Sequence, residues 1–179
     1  MIEPAKSCLV VIDVQGKLAQ LMDNKESLFA NIEILIKAAR TLQIPVLWCQ
    51  QNPAALGATV ESIAQLLEGI EPVNKFSFSC CGDESFAQKL REINPQHVIL
   101  CGIESHICVY QTAMGLLDAD YNVCIVADAV SSRTPQNREI ALQRMIAEGA
   151  DLSSTEMLLF ELLATAKHPH FRELARLIR

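Results

Sequence analysis

One cysteine of this chain stands where a strand-like run passes into a helical pattern. Residues 102–109, Gly-Ile-Glu-Ser-His-Ile-Cys-Val, end an apolar run and place Cys108 near the start of a helix. If Ser105 is the N-cap, Cys108 falls in the first turn, where free backbone N–H groups and the helix dipole stabilise an anion. Such a thiolate has a lowered pKa and is a usable nucleophile, and the same N–H groups can bind an oxyanion. A small buried residue facing a sheet is an equally good interpretation.

Two further side chains have types that suit acyl-transfer chemistry. Asp13 ends an apolar run, in Ile-Asp-Val-Gln, where a carboxylate can take a proton from a thiol and return it to a leaving group. Lys75, in Val-Asn-Lys-Phe-Ser-Phe, can orient that acid or favour a thiolate by its charge. Taken singly, Asp13 also fits a turn or helix cap, and Lys75 is better interpreted as a solvated surface lysine.

Other polar residues offer weaker signals. His168 and His170 flank a proline without a second ligand cluster, which favours a surface turn over a metal site. His106 lies beside Cys108 and suits either substrate contact or a structural role. Asp128 and Arg133 follow a predicted strand. They suit a pair that fixes a loop, which is the safer interpretation, and Arg133 also suits contact with an anion.

The elements that must position these residues alternate between strand and helix patterns. Predicted strands span residues 8–14, 45–49, 71–75 (weakly), 97–102, 122–127 and 150–153. Predicted helices span residues 24–42, 61–67, 83–93 with Asp83 as N-cap, 105–118, 135–148, 155–166 and 171–178, and residues 50–59 form a predicted loop. This alternation predicts an α/β domain with a mainly parallel sheet and helices on both faces.

Ligands of such sheets bind outside the carboxyl ends of the strands. Three segments fall there: Asp13 after the first strand, Gln50 and Gln51 after the second, and residues 102–108 after a later one. The candidate residues therefore converge on one edge of the predicted sheet.

Length and composition bound the remaining possibilities. The 179 residues suit one domain spanning residues 1–179, and half of them are apolar. A net charge of −6 disfavours nucleic acid and anionic membranes as partners. We find no signal peptide or membrane span in the sequence, so a cytoplasmic location is expected. The cysteine count, seven, is odd, which favours free thiols over a disulfide framework.

Taken in this order, the motifs resemble the isochorismatase-like cysteine hydrolases, a superfamily that includes nicotinamidases and carbamoyl-amide hydrolases. Its pattern has an Asp at the end of the first strand, often followed by Gln, then a central Lys and a helix-opening Cys. Here these are Asp13 with Gln15, Lys75 and Cys108. The resemblance covers nearly the whole chain and is closest to a branch of uncharacterised isochorismatase-domain proteins.

The resemblance implies a single Rossmann-like domain with about six parallel strands. It also implies a cis peptide bond before the nucleophile helix, which by position is Ile103–Glu104. By analogy, Cys108 attacks a carbonyl carbon, Asp13 shuttles the proton, Lys75 sets the electrostatics, and the N–H groups of Glu104 and Cys108 bind the oxyanion. Further candidate substrate contacts are Gln15, Gln51, Phe76, Phe78 and His106.

Two departures from the superfamily narrow the expected chemistry. Nicotinamidases bind a metal through an Asp/His cluster after the second strand, whereas here residues 48–53 read Trp-Cys-Gln-Gln-Asn-Pro. No metal and no cofactor are therefore expected. True isochorismatases cleave a vinyl ether without the cysteine, so the presence of Cys108 favours cleavage of a C–N bond in a small amide or carbamoyl compound.

Two other function classes compete with the hydrolase. A non-catalytic interaction protein on the same scaffold would fit a broken triad, and this triad is whole. A thiol redox sensor would need a resolving cysteine near Cys108, and Cys101 lies at the far end of the preceding loop. A homo-oligomer is expected by resemblance, and Phe76 and Phe78 suit either a pocket or a subunit interface.

Overall fold

The computed structural model describes residues 1–178, which form one six-stranded sheet with helices on both faces. The strands are β1 (Ser7–Ile12), β2 (Val46–Gln51), β3 (Val73–Lys75), β4 (His97–Ile103), β5 (Asn122–Ser131) and β6 (Asp151–Ser153). Every neighbouring pair is parallel, and the spatial order is β3-β2-β1-β4-β5-β6. The predicted α/β class and the Rossmann-like sheet are confirmed.

The helices follow the strands in the order that parallel crossovers require. They are α1 (Gly16–Gln20), α2 (Lys25–Thr41), α3 (Pro53–Leu56), α4 (Glu61–Leu66), α5 (Glu84–Ile93), α6 (Tyr110–Asp118), α7 (Pro135–Ala147), α8 (Thr155–Leu163) and α9 (Phe171–Ala175). Short 3₁₀ turns and one π-helical turn, Ser105–Val109, complete the chain. None of the helices within residues 1–178 is long and apolar enough to cross a membrane.

The sheet separates two apolar cores, because successive side chains of a strand point to opposite faces. On β1, Leu9 and Val11 pack in the core under α2, α4 and α8, whereas Val10 and Ile12 pack in the core under α5, α6 and α7. Burial on both faces explains why β1 reads as a continuous apolar run. The same alternation decides which residues at the strand ends can share a site.

The strand order reverses between the neighbouring strands β1 and β4. After β1 the chain continues to a helix on one face of the sheet, and after β4 to a helix on the other face. Ile12 of β1 pairs with Gly102 of β4, so Asp13 and the segment after β4 lie next to each other. Gly102 has φ of +119°, and a Cβ there would stand 2.1 Å from the Ile12 carbonyl oxygen. Only glycine permits this approach. This switch point is where ligands bind in open parallel sheets.

Several predicted boundaries were wrong. Residues 50–59, predicted as a loop, contain the end of β2 and helix α3, because Gln51 pairs with Lys75 and Pro53 suits a first helical position. Helix α1 was missed because five residues are too short for a periodic signal. Asp128 lies inside β5, not after a strand, since β5 continues past a register shift against β4. Helix α8 ends at Leu163, three residues early.

Candidate active site

Asp13 lies immediately after β1 in a left-handed conformation, with φ of 52°. Its backbone N–H donates to the Cys49 carbonyl at 3.1 Å, which holds the turn against β2. Asp and Asn tolerate this conformation better than other residues with a Cβ, and such backbone strain concentrates at functional sites. The side chain is 2% exposed, so the carboxylate faces the protein interior and not bulk water.

Lys75, the last residue of β3, is fully buried, with 0% exposure. Its Nζ donates to Asp13 Oδ2 at 2.7 Å and to Gln51 Oε1 at 2.8 Å. It also donates to the carbonyl oxygens of Phe78 at 3.1 Å and Ser77 at 3.2 Å. The interpretation of Lys75 as a solvated surface lysine is therefore wrong: the residue is the centre of a buried polar cluster.

Cys108 lies in the π-helical turn Ser105–Val109 that opens into α6, and it is 7% exposed. Single π turns inside helices occur frequently at functional sites. Ser105, considered from the sequence as the N-cap, does not hold that position. Glu104 holds that position without a side-chain cap, and the Ser105 hydroxyl is buried with no hydrogen-bond partner within residues 1–178. The Ile103–Glu104 peptide bond directly before this turn is cis.

Asp13 joins the other two residues into one cluster. Lys75 occupies its Oδ2, whereas Oδ1 is buried and accepts no hydrogen bond of normal geometry among residues 1–178. The Cys108 thiol is near enough to lower the pKa of Asp13 by hydrogen bonding. The carboxylate thus has one oxygen bound by an ammonium and one buried oxygen without a hydrogen-bond partner among residues 1–178, with the Cys108 thiol close by.

The electrostatics of the cluster favour a protonated resting thiol. Burial, followed by the negative charge of Asp13, raises the pKa of Cys108 despite the opposing attraction of Lys75. The predicted lowering of the pKa of Cys108 by the helix N-terminus is therefore wrong. Burial also raises the pKa of Asp13, although Lys75 and the thiol oppose it. Burial alone would lower the pKa of Lys75, but the Asp13 charge raises it, which keeps the ammonium charged.

Asp13 and Cys108 face a common cavity of about 90 Å³. Gln51 and Glu104 also line it, and the remaining wall is apolar: Leu18, Leu56, Phe78, Ile103 and Ile107. The apolar wall comes from short elements, α1 and α3, and from segments next to Lys75 and Cys108. Leu18 and Leu56 were missed from the sequence, because nothing in their local pattern separates a cavity wall from ordinary packing.

The other candidate contacts are dispersed. Phe78 lines the cavity and is 54% exposed, whereas Phe76 is 79% exposed and does not line it. Gln15 is fully buried and bonds to the backbone around Gln51 instead of facing the cavity. His106 pairs through Nδ1 with the Ser132 hydroxyl at 2.9 Å and is not a cavity residue.

The Glu104 side chain has a structural partner. Its Oε2 accepts hydrogen bonds from the backbone N–H and from Nε of Arg133, both at 3.1 Å. This ion pair joins the segment before the nucleophile turn to the end of β5. The predicted pair of Asp128 and Arg133 does not form: Asp128 accepts two bonds from Thr155 at the start of α8.

All cysteines are free thiols in the structure. Cys101 packs in the core under α2, on the opposite side of the sheet from Cys108, so it cannot act as its resolving partner. Cys80 lies in the same core as Cys108. Within residues 1–178 no group of three or more His, Cys, Asp or Glu side chains is arranged to hold a metal ion.

Comparisons with known proteins identify the family of this chain. The model of the isochorismatase domain family matches residues 7–157, which include Asp13, Lys75 and Cys108. The isochorismatase domain-containing protein 2 of Danio rerio is 40% identical over 173 residues, covering 96% of this chain and 86% of that protein.

Two further relatives carry more specific names. The secreted isochorismatase effector Isc1 of Phytophthora sojae is 38% identical over 181 residues, covering 98% of this chain and 86% of that protein. The solved structure of the MAR1 ribonuclease from Caenorhabditis elegans is similar with a TM-score of 0.93 and 38% identity, over 99% of this chain and 91% of that one. Because one relative is named as secreted, the expected cytoplasmic location stays a prediction.

Proposed function

This chain belongs to the isochorismatase domain family, and from that premise we propose that it is a cysteine hydrolase that cleaves a C–N bond of a small amide or carbamoyl compound. Cys108 is the proposed nucleophile, Asp13 the proposed general acid and base, and Lys75 the proposed electrostatic partner. Family membership supports a hydrolase in general, and the arrangement of these three side chains supports the finer assignment.

The observation that carries the proposal is the position of Asp13 between Lys75 and Cys108. One carboxylate oxygen is bound by the Lys75 ammonium at 2.7 Å, the other is buried and accepts no hydrogen bond among residues 1–178, and Asp13 and Cys108 line the same cavity. A base with a raised pKa, next to a thiol that is protonated at rest, suits proton transfer during attack. The thiolate then forms only when a substrate carbonyl accepts its electrons.

The proposed reaction has two halves. In the first, the Cys108 sulfur forms a bond to the substrate carbonyl carbon while its proton moves to Asp13, and the C–N bond then breaks as Asp13 returns that proton to the leaving nitrogen. In the second, water attacks the resulting thioester and gives a proton to Asp13. The C–S bond breaks, the thiol regains the proton, and a carboxylic acid leaves. No oxidant, metal or cofactor takes part in this scheme.

The oxyanion of both halves needs donors close to the nucleophile. We assign this role to the backbone N–H groups of Glu104, directly before the π-helical turn, and of Cys108, within that turn. The ion pair between Glu104 and Arg133 supports the assignment, because it ties the first of these amides to β5. Rigid donors of this kind stabilise charge that develops in the transition state.

The size and lining of the cavity suit a small and largely apolar substrate. Its volume of about 90 Å³ is below the roughly 150 Å³ of engineered protein cavities that hold benzene. The enclosed part of the site therefore fits an amide group with few attached atoms. Larger substituents would extend past Phe78 toward solvent, where that side chain is half exposed.

Ribonuclease activity is a second candidate, because the C. elegans relative of 38% identity bears that name. Exposed Phe76 and Phe78 are side chains on which bases can stack. The net charge of −6 opposes binding of a polyanion. We therefore place amide hydrolysis first.

The test is a panel of small primary amides, ureas and N-carbamoyl compounds scored by ammonia release, run beside single-stranded RNA scored by gel. We expect turnover of at least one panel member, loss of that turnover in Cys108→Ala, and a Cys108 thioester trapped by acid quench and seen by mass spectrometry. If the wild type cleaves RNA, releases no ammonia from any panel member, and loses RNA cleavage in Cys108→Ala, ribonuclease activity would replace amide hydrolysis as the proposed function.

A further inference from the structure

The side chain of Gln51 contacts two parts of the candidate site at once. Its Oε1 accepts a hydrogen bond from Lys75 Nζ at 2.8 Å, and its Nε2 donates to the Phe76 carbonyl oxygen at 2.7 Å. The residue also lines the cavity beside Cys108. No other side chain bonds both Lys75 and the backbone of the segment that follows it, among residues 1–178.

These partners determine the orientation of the amide. A lysine ammonium offers only donors and a backbone carbonyl only an acceptor, so the oxygen of Gln51 must face Lys75 and its nitrogen must face Phe76. A carboxylate at this position would keep the first bond and lose the second. An apolar side chain of similar length would lose both.

The backbone of Gln51 is itself held by a second glutamine. Gln15 is fully buried, and its Oε1 accepts from the Gln51 N–H at 2.7 Å. Its Nε2 donates to the carbonyl oxygens of Gly57 at 2.8 Å and Gln51 at 3.2 Å. Since Gln15 follows Asp13 by two residues, these bonds fix the position of Gln51 relative to the carboxylate.

We propose that Gln51 is a positioning residue of the hydrolase, which holds Lys75 against Asp13 without adding charge and, through its bond to the Phe76 carbonyl oxygen, fixes the segment that carries the cavity residue Phe78. The inference rests on the proposed function, because it assigns Lys75 and Asp13 their catalytic setting. It gives Gln51 a role different from the substrate contact predicted from sequence.

The neutrality of Gln51 matters because of the number of acceptors around Lys75. An ammonium has three N–H groups, and four oxygens surround this one, of which only that of Asp13 is charged. A second carboxylate would draw Lys75 away from Asp13 and add a like charge beside it. Asp13 would then hold its proton more tightly, and a Cys108 thiolate would be harder to form.

Among residues 1–178, few ionisable groups face this cluster. Besides Lys75, they are the thiols of Cys49 on β2 and Cys80 after β3, both fully buried, and the Glu104 carboxylate at the cavity. Glu104 is already paired with Arg133. A charge placed at position 51 therefore acts mainly on the Asp13–Lys75–Cys108 cluster.

Alkylation of Cys108 tests the inference without a known substrate. Iodoacetamide, itself a small primary amide, would label native protein across a pH series, and site-resolved mass spectrometry would follow Cys108. In Gln51→Glu we expect the midpoint of Cys108 labelling to move to higher pH, with a rate at pH 8 that is lower by about tenfold. In Gln51→Met we expect the midpoint to stay, because three oxygens still satisfy Lys75.

Gln51→Met should instead loosen the cavity wall. We expect the preference of Cys108 for iodoacetamide over the bulkier iodoacetanilide to fall by about threefold or more. Gln96→Glu is the matched control, since it makes the same change at an exposed position before β4, at the opposite edge of the sheet. It should match the wild type in both measurements.

The outcomes separate this inference from the proposed function. If both Gln51 variants titrate and discriminate like the wild type, Gln51 is not a positioning residue, whatever the enzyme hydrolyses. If Gln51 had only a structural role, its variants would unfold at lower temperature and several cysteines would change their labelling. The pH midpoint of Cys108 and its preference for iodoacetamide over iodoacetanilide would then stay as in the wild type. If Asp13→Asn leaves Cys108 labelling unchanged in the wild-type background, the proposed catalytic cluster itself is wrong.

Discussion

Lys75 Nζ and Asp13 Oδ2 lie 2.7 Å apart in a buried ion pair, with both side chains at 2% exposure or less. The two residues are separated by 62 positions in the chain and come from strands that do not touch, β1 and β3. Burying two charges is costly unless they are paired and hydrogen-bonded, and here Lys75 has further oxygen partners that complete its shell. Removing either partner should therefore affect both stability and chemistry.

Replacing Lys75 with Met should lower the free energy of unfolding by about 3–5 kcal/mol at pH 7, because it leaves a buried carboxylate unpaired. Without Lys75 the pKa of Asp13, already raised by burial, rises further. Protonation of Asp13 then removes the unpaired charge, so the deficit should shrink as the pH falls. Urea unfolding at pH 7 and pH 5 measures this. Lys17→Met, at an exposed lysine, is the control, and an equal deficit at both pH values would contradict the argument.

Replacing Asp13 with Asn should lower the pH midpoint of Cys108 alkylation. The pKa of the thiol is raised by burial and then by the Asp13 charge, whereas Lys75 lowers it. Asn removes the negative charge and leaves the ammonium, so the thiolate becomes easier to form. The variant should thus react faster with iodoacetamide near pH 8 while losing turnover of amides. A midpoint that rises or stays constant would show that Asp13 does not act on Cys108.

Replacing Gly102 with Ala should prevent normal closure of the switch point. The new Cβ would lie 2.1 Å from the Ile12 carbonyl oxygen at a φ of +119°, so β1 and β4 would have to move apart. Gly69→Ala is the matched control, because its φ of +85° imposes strain while no atom lies within 4 Å of the added Cβ. We expect a loss of about 1 kcal/mol for Gly69→Ala and a much larger loss for Gly102→Ala. If thermal or urea unfolding shows the same loss of stability for both variants, the close approach of Gly102 to Ile12 is not the cause of the Gly102→Ala effect.

Stability should fall in alkaline solution because buried thiols must ionise on unfolding. Burial raises the pKa of Cys8 to about 12 and that of Cys124 to about 12. A group with a raised folded pKa contributes its full stability below the unfolded value, about 8.5 for a thiol, and loses it as the pH rises toward the folded value. Cys124→Ala should lessen the decline between pH 8.5 and 10 by up to about 1.4 kcal/mol per pH unit. Val123→Ala, a buried neighbour without an ionisable group, should leave the slope unchanged.

Phe76 and Phe78 form a matched pair that separates a cavity wall from an exposed side chain. Phe78 lines the cavity and Phe76 does not. Phe78→Ala should increase the rate at which iodoacetanilide labels Cys108 by several-fold relative to iodoacetamide, and Phe76→Ala should not.

Sedimentation of both variants tests the expected homo-oligomer at the same time. A change in the sedimenting mass of the Phe76→Ala variant, with no change for Phe78→Ala, would assign Phe76 to a subunit interface.

Much of the fold was predictable from local patterns. Continuous apolar runs predicted β1, β4 and β5, because strands buried on both faces need no alternation. Amphipathic spacing predicted α2 and α6. Asp83 caps α5 by accepting from the Phe86 N–H at 3.1 Å, as expected. The short elements α1 and α3 were not predictable, since four or five residues carry too little periodicity and are held by long-range contacts.

The sequence by itself determined which residue types stand at the carboxyl ends of the strands, and therefore that Asp13, Lys75 and Cys108 can meet at one edge of a parallel sheet. Only the tertiary structure decided how they meet. It buries Lys75 among four oxygens, places Cys108 in a π-helical turn beside a carboxylate, and turns the amide of Gln51 toward that lysine. The direction of the pKa shift of Cys108 follows from burial and from a charge 95 residues away in the chain, because Coulomb interactions depend on distance in space and on solvent exclusion, which local sequence does not encode.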